Sequence, residues 1–183
     1  MASVGLVKAR LLDASELERL LRRLGQEIIE PAAELDRLAL VGLQTRGVFL
    51  ARRIAAWIAH DEGHSVPVGA LDVTLYRDDL RLRPGPRMRP TELPFTVEDR
   101  MIVLVDDVLH TGRTVRAAMD ALLDYGRPAA IQLAVLIDRG GRELPICADY
   151  VGRRIPTTAQ ERIRVALREV DAEDAVYLLE VSP

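Results

Sequence analysis

Between residues 13 and 29 the apolar positions Leu17, Leu20, Leu21, Leu24, Ile28 and Ile29 recur at three- and four-residue spacing, and Asp13 with Glu16 supplies a capping pair at the start. This is the pattern of an amphipathic helix. Leu38 to Leu43 (LALVGL) is apolar without alternation, as suits a strand covered on both faces. It gives way to Gln44-Thr45-Arg46-Gly47 and then to a second helical pattern through Val48, Leu50, Ala51, Ile54, Ala55 and Ile58. Residues 66–76 read as extended. Residues 77–94 hold four prolines and five arginines with almost no apolar side chain, which predicts a long mobile loop. Residues 102–105 are wholly apolar and lead through residues 106–114 into a helix ending near Tyr125-Gly126. A strand over 130–137 and shorter strand-like pieces at 150–151 and 175–181 complete the chain. Strands alternating with helices predict an α/β fold, a central mainly parallel sheet flanked on both faces by helices. With no repeat, linker or low-complexity segment, residues 1–183 are expected to form one domain.

Composition narrows the functions available. The 28 acidic and 25 basic residues leave a net charge of -3, so any nucleic-acid site must be a local patch. The single cysteine, Cys147, excludes an internal disulfide and a multi-cysteine zinc cluster. The opening MASVGLVKARLLD lacks a signal peptide's apolar core, and no apolar run approaches the roughly 20 residues that span a bilayer. The expectation is a cytoplasmic protein with no membrane role.

In an open parallel sheet, ligands settle beyond the carboxyl ends of the strands. The run Val105-Asp106-Asp107-Val108-Leu109-His110-Thr111-Gly112-Arg113-Thr114 joins a buried strand to a helix N-terminus through two carboxylates and a glycine turn. The amides and hydroxyls of Thr111 to Thr114, with the helix dipole, favour a phosphate. Carboxylates repel one. The conflict disappears when the ligand carries hydroxyls or a bound divalent cation some distance from its phosphate, the layout of a ribose 5-phosphate. Two adjacent aspartates alone would be a solvated strand end; the flanking Thr-Gly-Arg-Thr favours the functional reading. Neither GxxxxGK[ST] nor GxGxxG is present.

This segment resembles the 5-phosphoribosyl-1-pyrophosphate (PRPP) motif of type I phosphoribosyltransferases. The blocks LVGLQTRGVFLARRIA, VGALDVTLYRDDL, IVLVDDVLHTGRTVRAAMDAL, GRPAAIQLAVLIDRG and RELPICADYVG are similar to one subfamily, PyrR, the pyrimidine-operon attenuation regulators that are also uracil phosphoribosyltransferases. The resemblance runs from about residue 10 to the end. It implies the type I phosphoribosyltransferase fold with a small hood and a flexible loop. It implies conversion of uracil and PRPP to UMP and pyrophosphate with Mg2+, and UMP-dependent binding to the pyr mRNA leader that promotes transcription termination. Homodimers or homotetramers are expected; with no helix-turn-helix, DNA is not an expected partner.

By this resemblance Asp106 and Asp107 hold the ribose hydroxyls, while Thr111, Gly112, Arg113 and Thr114 cradle the 5-phosphate. Mg2+ is held mainly by PRPP, with Asp106 and Asp107 as further ligands. Gln44-Thr45-Arg46-Gly47 corresponds to the pyrophosphate loop, where a flexible Gly47 lets the amides around Thr45 turn to an anion and Arg46 adds a forked cation. Arg77 is the candidate lid cation for the pyrophosphate; Arg81, Arg83, Arg87 and Arg89 read as soluble loop. Val108, Leu109 and the segment Ile137, Asp138, Arg139 line the uracil pocket. His110 stands where this subfamily usually carries Tyr, either as a proton acceptor or as a ring packed on the base. Arg23, Arg142, Arg153 and Thr157 match positions on the RNA face, and Arg19, Arg22, Arg139 and Arg154 are further cations. Gln26, Gly141 and Cys147 depart from the polar residues relatives have there. Two other readings are a salvage phosphoribosyltransferase for another nucleobase and a non-catalytic UMP-sensing RNA regulator.

Overall fold

The computed structural model describes residues 5–32, 34–77 and 88–181. Helix α1 (Ala14–Ile29) begins where the capping pair predicts. Glu16 N donates to Asp13 Oδ1 at 2.9 Å and Asp13 N to Glu16 Oε2 at 3.0 Å. Strand β2 (Leu38–Leu43) is followed by α2 (Arg46–Glu62), which Gly63 ends in the left-handed conformation, φ 66°. Strand β3 (Val68–Leu71), β4 (Met101–Leu109), α3 (Arg113–Leu123), β5 (Ala130–Asp138) and β6 (Tyr150–Arg154) follow. The order β3-β2-β4-β5-β6 makes a five-stranded sheet, parallel at every pairing. On one face α1 and α2 bury Leu17, Leu21, Leu24, Ile28, Leu50, Ile54 and Ile58 against Val103 and Val105. On the other, Val115, Ala118 and Leu122 of α3 meet Ile102, Leu104 and Val135. At about 1.5–3 kcal/mol for each large side chain, this two-sided burial dominates the stability and explains the unalternating strands.

Three readings change. Residues 66–76 are not one extended piece: after β3 the chain makes a 3-10 turn at Thr74–Tyr76. Strand β4 does not stop at Val105 but carries Asp106 to Leu109 in the ladder, with Asp106 opposite Val135 and Leu109 opposite Asp138. Helix α2 starts at Arg46, two residues before its apolar pattern. The sequence reading also missed β1 (Leu6–Leu12), β7 (Glu161–Ala166) and the short α4 (Arg168–Asp171), whereas β8 (Ala175–Glu180) is the strand-like piece expected over 175–181. Strands β1, β8 and β7 form an antiparallel sheet, the expected hood, whose Leu12, Val165 and Val176 join the core under α1 and α2. Among the described residues no helix is long and apolar enough to cross a membrane. The loop expected over 77–94 lies largely, with Arg81, Arg83 and Arg87, outside the described residues.

Candidate active site

The two loops singled out in the sequence meet at the carboxyl edge of the parallel sheet because β2 and β4 are neighbours. Glycine sets how closely they meet. A Cβ on Gly47 would lie 2.3 Å from the Val105 carbonyl oxygen, and one on Gly42 would lie 2.3 Å from Val48 Cα. Gly47 is therefore a buried contact point in the first turn of α2, rather than the flexible hinge expected of it. The peptide between Gln44 and Thr45 is cis.

Asp106, Val108, Leu109, His110, Thr111, Gly112, Arg113 and Thr114 line one pocket of about 320 Å³ together with Arg77, Val115 and Glu143. Gly112 adopts φ 90° at the start of α3 and has no side chain to cap it; of the first amides, Arg113 N donates to Thr111 Oγ1 at 3.3 Å. The first turn of α3 thus offers amides and the positive end of its dipole to the pocket. The Arg113 guanidinium turns aside to Glu143, Nε to Oε2 at 2.6 Å. Arg77 donates from Nη1 to Thr114 Oγ1 at 2.9 Å, placing this cation at the helix end of the pocket.

Both acids are half-buried. Asp107 N donates to Asp106 Oδ1 and Val108 N to Asp107 Oδ1, each at 2.9 Å. Burial, then repulsion from Asp107, raises the Asp106 pKa well above the usual carboxylate range. Burial also raises Asp107, opposed by its hydrogen bond with Asp106 and by the nearby Arg46. Two carboxylates so placed resist ionising together, and hydroxyl donors or a cation would ease that resistance. A divalent cation would relieve that repulsion. Among the described residues there is no cluster of three or more His, Cys, Asp or Glu able to hold a metal. The donor set therefore fits an ion that brings most of its ligands with its substrate.

Around the expected base pocket, Ile137 is fully buried in the core, so its backbone and not its side chain is what remains for a base. Asp138 accepts from Gly140 N at 3.0 Å and from Arg142 Nη2 at 2.6 Å; burial works against its ionisation, but these bonds keep its pKa below the usual value. Arg139 points toward β7, Nη2 donating to the Glu161 carbonyl at 2.8 Å. Arg142 braces this region. Its Nε donates to the Ile146 carbonyl and Nη1 to the His110 carbonyl, both at 2.9 Å. The His110 ring lies over Gly141, where a Cβ would come within 2.8 Å of Nε2. His110 and Thr157 also share a second cavity, of about 570 Å³, with Arg139 and Arg162.

The remaining candidates for the RNA face divide into two groups. Arg23 on α1 donates to the Val151 and Gly152 carbonyls of β6, while Arg153 of β6 pairs with Glu16 of α1 at 3.8 Å and donates from Nη1 to the Leu11 carbonyl of β1 at 3.2 Å, so these two lie along one α1–β6 seam. Arg19 holds Ser15 Oγ at 3.3 Å and Arg154 is exposed near Asp138. Arg22 instead pairs with Asp61 at 3.0 Å and stacks 5.3 Å from the Trp57 ring. Arg142 and Thr157 sit on the base-pocket side.

The profile of the phosphoribosyl transferase domain matches residues 8–167. A bifunctional protein PyrR of Chloroflexus aurantiacus is 58% identical over 171 residues, covering 93% of this chain and 94% of that protein. The chain belongs to the PyrR family. A bifunctional protein PyrR of Thermus thermophilus is 56% identical, covering 94% of this chain and 96% of its own. Among solved structures, a Trypanosoma cruzi hypoxanthine phosphoribosyl transferase superposes with a TM-score of 0.71 at 18% identity, covering 96% of this chain and 92% of that one. A Bacillus anthracis hypoxanthine-guanine phosphoribosyltransferase gives 0.71 at 17%, covering 96% and 99%. At these identities the likeness is one of fold, the type I phosphoribosyltransferase fold. One residue beside the loop at 44–47 escaped the sequence reading: Asp171, whose carboxylate holds Arg46 from 125 positions away.

Proposed function

We propose that this PyrR-family chain makes UMP and pyrophosphate from uracil and PRPP, and that its UMP complex binds the pyr mRNA leader to promote transcription termination. The observation that carries the enzymatic half is the shared pocket in which the half-buried Asp106 faces an uncapped helix start, with Asp107 beside it near Arg46. Asp106 and Asp107 bind the ribose hydroxyls, and the amides of Thr111 to Thr114 hold the 5-phosphate. Arg46 receives the diphosphate. Departure of pyrophosphate leaves an electron-poor anomeric carbon, so the rate depends on stabilising the leaving charge and aligning the base. Mg2+ bound with PRPP, with Asp106 and Asp107 as protein ligands, supplies charge neutralisation on the diphosphate. Arg77, tied to Thr114, adds positive charge at the phosphate end and counters the Asp106 carboxylate. Backbone groups near Val108, Leu109 and residues 137–139 read the flat, neutral uracil.

The RNA half rests on kinship and on the α1–β6 seam, where Arg19, Arg23, Arg153 and Arg154 supply phosphate contacts; Arg142 and Thr157 join them from the base-pocket side. If UMP and RNA each tighten the other's binding, nucleotide sufficiency is read as occupancy of the pocket. We read residues 1–183 as one domain, cytoplasmic, assembling as a homodimer or homotetramer. Exposed Leu75, Leu123 and Tyr125 flank the Tyr76–Asp124 hydrogen bond and offer an apolar patch for that assembly.

The deciding assay mixes PRPP and Mg2+ with uracil, hypoxanthine or guanine, and in parallel measures leader-hairpin binding at low salt with and without UMP. UMP formation from uracil alone, with RNA affinity that rises on adding UMP, is the expected result. Turnover of a purine, or hairpin binding without any turnover, would replace this reading with one of the alternatives. For His110, burial, then Arg139 and Arg142, pull the imidazole pKa below 6.5 against the pull of Glu143, so the ring is neutral at pH 7 and protonates only in acid. It acts as a wall against the base. His110→Phe should therefore keep near-normal turnover and an unchanged pH–rate profile between about pH 5 and 9; loss of turnover together with loss of the acid limb of that profile would make His110 the proton acceptor.

A further inference from the structure

Arg46 opens α2, and its guanidinium is held from outside the pocket. Nη2 alone donates to both Asp171 carboxylate oxygens, at 2.9 Å each. The holder is itself fixed. Asp171 Oδ2 also accepts from Leu167 N at 3.1 Å, and Asp171 N donates to the Leu167 carbonyl at 2.7 Å, closing the short α4 on itself. Seven residues along α2, Arg53 docks on the same hood segment through Glu169 and Asp174. The first stretch of α2 is thus strapped to the hood at two points. Arg46 Nε, by contrast, is buried and has no hydrogen-bond partner. A buried orphan donor beside an anion loop is a vacancy for an acceptor.

Building on the phosphoribosyltransferase reading, we propose that Asp171 is a positioning residue, pinning Nη2 of Arg46 so that the unpartnered Nε stays directed to the diphosphate of PRPP. A guanidinium is a rigid fork, so fixing one nitrogen fixes the other two. Without Asp171 the long side chain samples several rotamers, and diphosphate binding must then order it. The hood, which contributes no residue to the lining of the Asp106 pocket, acquires through this contact a direct bearing on the leaving group.

Asp171→Asn tests this gently, because the amide oxygen still accepts from Leu167 N while the charge and one oxygen acceptor for Arg46 are lost. Two readouts are needed: calorimetric binding of magnesium pyrophosphate, and steady-state kinetics with uracil and PRPP. Expected are a loss of about tenfold or more in pyrophosphate affinity and a matching rise in KM for PRPP, with KM for uracil and the melting temperature nearly unchanged. In an Arg46→Lys background the same change should have almost no further effect, since its route through the fork is gone. Additive losses in the double variant, or equal rises in both KM values, would mean a structural role and overturn the proposal. Tighter pyrophosphate binding in Asp171→Asn would also overturn it, showing that the carboxylate competes with the ligand for Arg46. Pyrophosphate binding keeps the test separate from the parent reading: a wild type that binds pyrophosphate through Arg46 but forms no UMP sinks the uracil reaction and leaves the positioning role standing.

Discussion

Asp106→Asn is expected to lose about a hundredfold or more in UMP formation while the ligand-free protein becomes more stable at neutral pH. The two effects have one cause. Burial, with Asp107 adjacent, raises the Asp106 pKa well above 3.8, so ionising it in the folded chain is unfavourable. The unfolded chain releases the proton first as pH rises. The pair's contribution to stability is therefore fullest below pH 3.8 and is lost as pH climbs through the raised folded-state values. An asparagine removes that loss, and its side-chain oxygen still accepts from Asp107 N. The variant should match the wild type in strong acid and exceed it by about 0.5–2 kcal/mol at pH 7, measured by urea unfolding at both pH values. Magnesium PRPP should reverse the order, since it stabilises only a site that binds it. A variant less stable than wild type at pH 7 would mean that the acids are structural.

Gly47→Ala is expected to damage both the fold and the site, although it adds a single methyl. The added Cβ would meet the Val105 carbonyl oxygen at 2.3 Å, and both atoms belong to rigid elements, the first turn of α2 and the strand β4. Relief requires α2 to move off the sheet, at a cost of about 1–3 kcal/mol. It also carries Arg46 away from Asp107. Activity should fall further than the stability loss explains, with KM for PRPP rising at temperatures where circular dichroism shows the chain folded. Unchanged kinetics would show that the pyrophosphate loop does not depend on this contact.

The sequence made the central sheet legible wherever both faces of a strand are covered. LALVGL in β2 and the apolar start of β4 have no alternation because helices lie on either side. The Asp13–Glu16 pair marked the start of α1 to the residue. The glycine turn from β4 into α3 was equally visible, since Gly112 and its threonines form a contiguous local signal. The hood was harder. Its β7, ERIRVA, does alternate apolar and charged residues, a period-two signal that was there to be read, but its partners β1 and β8 lie at opposite ends of the chain. Gly47 was misjudged because a close backbone approach leaves no mark on the residue that permits it. Arg142 matches a position on the RNA face by resemblance, and nothing local shows that three of its donors hold the Ile146 and His110 carbonyls and the Asp138 carboxylate. Asp171 could not be found at all, because no local pattern joins residues so far apart.

The most direct test is a crystal structure of the chain bound to UMP. The account predicts the ribose hydroxyls within hydrogen-bond distance of the Asp106 and Asp107 carboxylates, and the phosphate on the backbone amides between Thr111 and Thr114. UMP seated in another cavity, or reversed so that its phosphate faces Arg46, would contradict it.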